Sequence, residues 1–116
     1  MELYDGLPLD CLPIEAVDVP DPEHLARSRR YANAVDIAAE HAMEAALDPE
    51  RLVGRSPRSR TGEAIRVVGY SAGADRVLVV LLLPAEHPPG GLWHVLTAWP
   101  ADRATRGVYR QGEEEP

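Results

Sequence analysis

Seven consecutive apolar residues, Val77 to Leu83, place the tightest constraint on what this chain can fold into. A strand with one face in water alternates apolar and polar side chains, so an unbroken β-branched and leucine run predicts a central strand covered on both faces. Periodicity alone leaves a buried helix open. The run falls far short of the roughly 20 apolar residues a membrane-spanning helix needs. At 116 residues the chain suits a single domain with a small core, and 45% hydrophobic with 27% charged residues is an ordinary globular composition. No basic residue precedes Arg27 and no long apolar stretch lies near Met1, so the reading is of a cytoplasmic protein without a secretory leader. Cys11 is the single cysteine, which excludes an internal disulfide and a thiolate zinc site.

Elements follow on either side of that strand. Residues 1–20 hold Pro8, Pro13 and Pro20 among many acids and predict an extended acidic arm or short edge strand. Asp21-Pro22-Glu23 starts a helix that should run to about Tyr31. Asn33 caps a second, Ala-rich helix from Ala34 to Leu47, which Pro49 stops at Asp48. Arg51 to Gly54 reads as a short strand, and Ala64 to Tyr70 as a strand with Ile65 and Val67 on one face and Arg66, Val68 and Tyr70 on the other. Ser71 to Asp75 has hairpin length, Leu92 to Trp99 forms the next strand, and Pro100-Ala101-Asp102 opens a final helix to about Arg110. The expected fold is α+β: two N-terminal helices, an antiparallel β-sheet meander of about four strands with the helices on one face, and a short C-terminal helix. The domain occupies residues 21–110, with residues 111–116 as an acidic frayed tail.

Charge is unevenly spread. The net charge is -7, yet residues 1–23 carry seven acids and no base, while all twelve Arg lie within residues 24–110 against nine acids. The expected folded body is therefore mildly basic. Lys is absent, and Arg offers a planar five-donor fork suited to phosphate. Arg51, Arg55, Arg58, Arg60 and Arg66 face only Glu63, across a Ser/Pro/Gly-rich connection. Arg103, Arg106 and Arg110 fall on one stripe of the last helix.

Familiar enzyme motifs are missing: there is no phosphate-cradling glycine loop, no His-Glu-x-x-His pair and no nucleophile elbow. His24, His41, His87 and His94 share no metal-ligand spacing, so neither a metal nor another cofactor is expected. His41 reads as a partly exposed helical residue and His87 as a solvent-facing loop residue. His94 reads first as a sheet histidine bonded locally, and second as a general acid or base. Tyr70 and Tyr109 read as packing residues with wet hydroxyls. Trp93 and Trp99 share one strand face, which suits a core pair or else an exposed patch for a partner or homodimer.

Several segments together resemble a known family: Asp21-Pro22-Glu23-His24, the helix ending Leu47-Asp48-Pro49, the Ile65-Arg66-Val67-Val68-Gly69-Tyr70 and Arg76-Val77-Leu78-Val79-Val80 hairpin, and the Thr97-Ala98-Trp99-Pro100-Ala101-Asp102-Arg103-Ala104-Thr105-Arg106-Gly107-Val108-Tyr109 strand-to-helix junction. Residues 21–110 are similar to BrnT-type toxins of the RelE/ParE toxin–antitoxin superfamily. The resemblance implies a RelE-like fold and a metal-independent endoribonuclease that is neutralised by a small antitoxin protein. In that chemistry the 2′-hydroxyl attacks the adjacent phosphate, which calls for a base, cations and an acid. Arg66, Arg76, Arg103 and Arg106 are the expected phosphate clamps, and His94 and Tyr109 the proton carriers. Arg55, Arg58 and Arg60 are the expected RNA-binding residues.

The acidic total charge and the missing Lys depart from that family's usual basic character. They keep a second reading open, a non-enzymatic interaction module built on a degenerate toxin. A third is a gyrase-directed toxin.

Overall fold

The computed structural model describes residues 13–25, 36–56, 64–86 and 90–114. Arg58, Arg60, His87, Cys11, the arm before Pro13 and most of the expected first helix lie outside the described residues.

The chain forms β1 (Ile14–Asp18), a 3-10 turn (Pro22–Leu25), α1 (Ala39–Ala46), β2 (Leu52–Arg55), β3 (Ile65–Ser71), β4 (Arg76–Pro84), β5 (Gly91–Pro100) and α2 (Arg103–Glu114). The five strands make one sheet in the order β1-β5-β4-β3-β2. Strand β4, which carries the apolar run, is the middle strand, with both of its faces largely buried. This α+β architecture agrees with the sequence reading.

Five details differ, the simplest being that α2 runs on to Glu114, past the expected end at about Arg110 and into the expected tail. The antiparallel meander β2-β3-β4-β5 is extended by β1, which pairs with β5 in parallel, so the sheet is mixed. The described part of the expected arm holds an edge strand: Ile14 and Val17 reach the core, and the Trp93 indole N–H donates to the Pro13 carbonyl at 2.7 Å. Third, the Asp-Pro-Glu start gives a four-residue 3-10 turn within the described residues, where a full helix to Tyr31 is expected. Leu25 buries its side chain there and its carbonyl accepts the Ile37 N–H at 3.2 Å, so this turn is anchored by its last residue. Fourth, α1 begins at Ala39; Asp36 to Ala38 are not helical, and no side chain caps the helix. Its end is as expected: the last turn closes with Leu47 N–H on Met43 and Glu44 carbonyls.

Finally, the helices sit on opposite faces. Ala42, Ala45 and Ala46 of α1 pack with Ile65, Val67, Leu78, Val80, Leu82, Trp93, Val95 and Ala98. Tyr109 of α2 packs with Val68, Val77, Val79, Ala101, Leu52 and Trp99 on the other side. A β-bulge explains why Trp93 and Trp99 part company. Leu81 pairs with Thr97 but its neighbour Leu82 pairs with Val95, which leaves Leu96 as an extra residue. One extra residue inverts the alternation, so Trp93 enters the α1 core, fully buried, while Trp99 turns to the α2 side.

The α1 face is packed so closely at Gly69 that helix and strand backbones touch. A Cβ there would lie 1.9 Å from the Ala45 carbonyl oxygen, so only glycine permits this helix-to-sheet approach. Gly69→Ala should therefore lower the unfolding free energy by about 3 kcal/mol, read as a reduced urea midpoint. An unchanged midpoint would mean that α1 does not rest on β3.

Candidate phosphate-binding face

The α2 face is built by a cap, an anchor and a stripe. Asp102 caps α2: its Oδ1 accepts the Thr105 N–H at 2.7 Å, and its carbonyl accepts the Arg106 N–H at 2.9 Å. The Thr105 N–H, then the Thr105 hydroxyl, hold the Asp102 carboxyl below its ordinary range, and the charges of Arg66 and Arg106 add to this. Just before the cap, Ala101 N–H donates to Val77 carbonyl at 3.0 Å, fixing the exit from β5.

Tyr109 is the anchor. It is 4% exposed, and its hydroxyl donates to Asp48 Oδ2 at 2.5 Å. The same oxygen accepts the Tyr70 N–H at 2.8 Å, and Asp48 Oδ1 accepts the Glu50 N–H at 2.9 Å. Asp48 can do this because β2 pairs with β3 only over Ile65 to Val68, which leaves the β3 edge open at Tyr70. With Tyr109 turned inward, Arg103, Arg106 and Arg110 all face solvent.

Two clefts flank the helix, each of about 360 Å³. The first, between α2 and β2, is mostly apolar and carries Arg55 and Arg66 on its wall. Its neighbour in sequence is the 57–63 connection bearing Arg58 and Arg60, whose two ends are joined by the Ser56 N–H to Ala64 carbonyl bond. The second gathers Arg76 from β4, Arg106 and Arg110 from α2, and Tyr70, Asp75 and Tyr109. Among the described residues, no carboxylate lies within ion-pairing distance of Arg76, Arg106 or Arg110. These guanidiniums converge on one cleft from two elements, an arrangement that suits an external anion.

Within this second cleft Tyr70, 39% exposed, donates its hydroxyl proton to Asp75 Oδ1 at 2.6 Å. That bond, with partial desolvation and the nearby charge of Asp75, raises the Tyr70 phenol above its ordinary value. The expected site residues are thus divided. Arg76, Arg106 and Tyr109 meet in the second cleft, Arg66 and Arg55 line the first, and Arg103 stands at the start of α2 outside both. His94 lines neither: its Nδ1 is hydrogen-bonded to the Asp18 carboxylate across the β5–β1 pair. His41 is a half-buried residue of α1, as its position in the helix suggests.

Sequence reasoning left Asp75 and the Asp48 link unremarked. Asp75 had one visible signal, its place immediately before Arg76 in a turn whose closing register sets Tyr70 opposite Val77. Among the described residues no three His, Cys, Asp or Glu side chains converge as a metal site, and no helix is long and apolar enough to cross a membrane. A scan against protein-family models finds no match for the chain, and a search of curated proteins returns no relative.

Two outcomes test this construction. Tyr109→Phe strips a donor from a carboxylate and should cost about 1–3 kcal/mol of stability, with less than additive loss when combined with Asp48→Asn. Because the Asp102 carboxyl is depressed in the folded protein, its contribution is present above the ordinary Asp range and is lost as pH falls through the depressed value. The Thr105 amide resonance should report that late, acid-shifted titration, and Asp102→Asn should abolish it. A Thr105 titration at the ordinary Asp position would show that the cap does not form.

Proposed function

We propose that this protein is a toxin-type, metal-independent endoribonuclease that grips RNA phosphates on its α2 face and is held in check by a small antitoxin protein. The observation that carries this reading is the second cleft. Arg76, Arg106 and Arg110 surround one concavity without carboxylate partners at bonding distance among the described residues, beside the exposed ring of Tyr70. An attacking 2′-hydroxyl converts a phosphodiester into a phosphorane with extra negative charge. Guanidinium groups fixed around that position stabilise the transition state more than the ground state. An exposed tyrosine ring gives a base a surface on which to stack. Arg55 and Arg66 on the wall of the first cleft extend the cationic surface along the RNA backbone.

A non-enzymatic phosphate-binding module is the second reading, and one observation favours it. Both expected proton carriers are engaged elsewhere, Tyr109 on Asp48 and His94 on Asp18. Under that reading the same Arg cleft binds an anionic partner and no bond is cut.

Induction in a bacterial host with mapping of new RNA 5′ ends separates the two. The endoribonuclease reading expects growth arrest with new ends, abolished in an Arg76→Ala, Arg106→Ala double variant that remains folded. Arrest without new ends would point to a gyrase-directed toxin. In vitro, Arg106→Ala should weaken binding to single-stranded RNA about tenfold and lower the slope of log affinity against log salt by about 0.7, the decrement for one phosphate no longer neutralised. Unchanged affinity and slope would remove Arg106 from the interface.

A further inference from the structure

We propose that Asp75 and Tyr70 form the proton-transfer pair of the second cleft, Asp75 accepting the 2′-hydroxyl proton and Tyr70 protonating the 5′ leaving oxygen. This rests on the endoribonuclease reading and supplies what it lacks, a base and an acid beside the Arg cluster. Among the described residues Asp75 is the sole carboxylate on the wall of that cleft, which it shares with Arg76, Arg106 and Arg110. The three guanidiniums stay charged and cannot take a proton. Tyr109 is buried with its hydroxyl on Asp48, and His94 lies on the β1 side of the sheet.

The pair is held in place. Tyr70 donates to Asp75 Oδ1 at 2.6 Å, which leaves Oδ2 of this exposed residue without a hydrogen-bond partner among the described residues. The turn beneath is fastened to α1: Glu44 Oε1 accepts the Ser71 hydroxyl at 2.8 Å and the Gly73 N–H at 3.1 Å, and Ser71 Oγ accepts the Ala74 N–H at 3.2 Å. Asp75 itself adopts a left-handed backbone with φ 53°, the one non-glycine residue to do so among those described. Such conformations cost energy and persist where the surroundings fix them, and here the result is a carboxylate set against a phenol.

The step balances. Oδ2 of Asp75 removes the 2′-hydroxyl proton as the 2′-oxygen forms its bond to phosphorus. The bond from phosphorus to the 5′-oxygen breaks, and the departing oxygen takes the Tyr70 proton. Asp75 then loses its new proton to water and the Tyr70 oxygen regains one from water, since both side chains are exposed. The products are a 2′,3′-cyclic phosphate and a 5′-hydroxyl, and the pair is restored.

The test uses the full chain, a mixed-sequence single-stranded RNA, and separate measurements of affinity and of single-turnover cleavage for wild type, Asp75→Asn, Tyr70→Phe and Arg106→Ala. Asn tolerates a left-handed backbone and Phe keeps the ring, so both pair variants should melt as the wild type does. The expected result is an approximately 100-fold slower cleavage for Asp75→Asn and Tyr70→Phe, with RNA binding no weaker than that of the wild type. The alkaline limb of the pH–rate profile should vanish in Tyr70→Phe. If both variants cut at the wild-type rate while Arg106→Ala fails, the pair is overturned and the Arg cleft stands. If the wild type binds RNA but leaves it intact, the endoribonuclease reading falls and the pair falls with it.

Discussion

The Asp48 carboxylate joins three elements that nothing else among the described residues brings to one point. It sits just past the end of α1, accepts the Tyr70 N–H from the uncovered edge of β3, and accepts the Tyr109 hydroxyl from α2. The Asp48 backbone carbonyl also takes the Arg51 N–H at 3.0 Å and the Arg51 guanidinium at 3.2 Å, which fixes the entry to β2. Hydrogen bonds to a charged acceptor contribute about 1.5–3 kcal/mol each, a large share of the stability of a small domain. The consequence for function is geometric. Helix α2 rests on the sheet chiefly through Tyr109, and both clefts are defined by where α2 lies. Losing the Asp48 tie would release the helix that holds Arg106 and Arg110 in register with Arg76.

The two sides of the sheet are therefore packed for different ends. On the α1 side, small alanines and Gly69 let backbone meet backbone, and the largest side chains are fully buried. Interiors of that density tolerate little displacement and make a rigid base. On the α2 side a single, mostly solvent-facing helix covers part of the sheet, and grooves remain on both of its flanks. The hydrogen bonds from the Ser71–Gly73 turn to Glu44 carry the rigidity of the first side to the rim of the second.

Much of this frame is legible in the residues. The apolar run of β4, the alternation of Ile65 to Tyr70, the stop imposed by Pro49 and the outward stripe of Arg103, Arg106 and Arg110 are all local patterns, and all are realised. What is hidden depends on register or on distance along the chain. Side-chain period tells which residues share a face only until a bulge intervenes, and the extra Leu96 reverses the sense of Trp99. The parallel docking of β1 on β5 and the 61-residue span from Asp48 to Tyr109 leave no periodic trace in either partner. Tyr70 and Asp75 are five residues apart, yet their meeting follows from a closing pair between Ser71 and Arg76 that periodicity does not specify.

The same topology separates the acidic edge of the sheet from the cationic cleft. Asp18 on β1 pairs with His94, which is level with Leu83 near the far end of β4. Arg76 opens that strand, seven residues away, a separation of about 23 Å at about 3.3 Å per residue. Fields between exposed charges decay over about 8 Å at physiological ionic strength. An anion entering the second cleft thus meets the guanidiniums of Arg76, Arg106 and Arg110, and this acidic edge of the sheet is screened from it. The net charge of -7 governs how the molecule behaves in solution, while the local arrangement of charge governs what the α2 face attracts. Among the described residues Asp75 is the one carboxylate on the wall of that cleft, and its charge works against the three guanidiniums in anion binding.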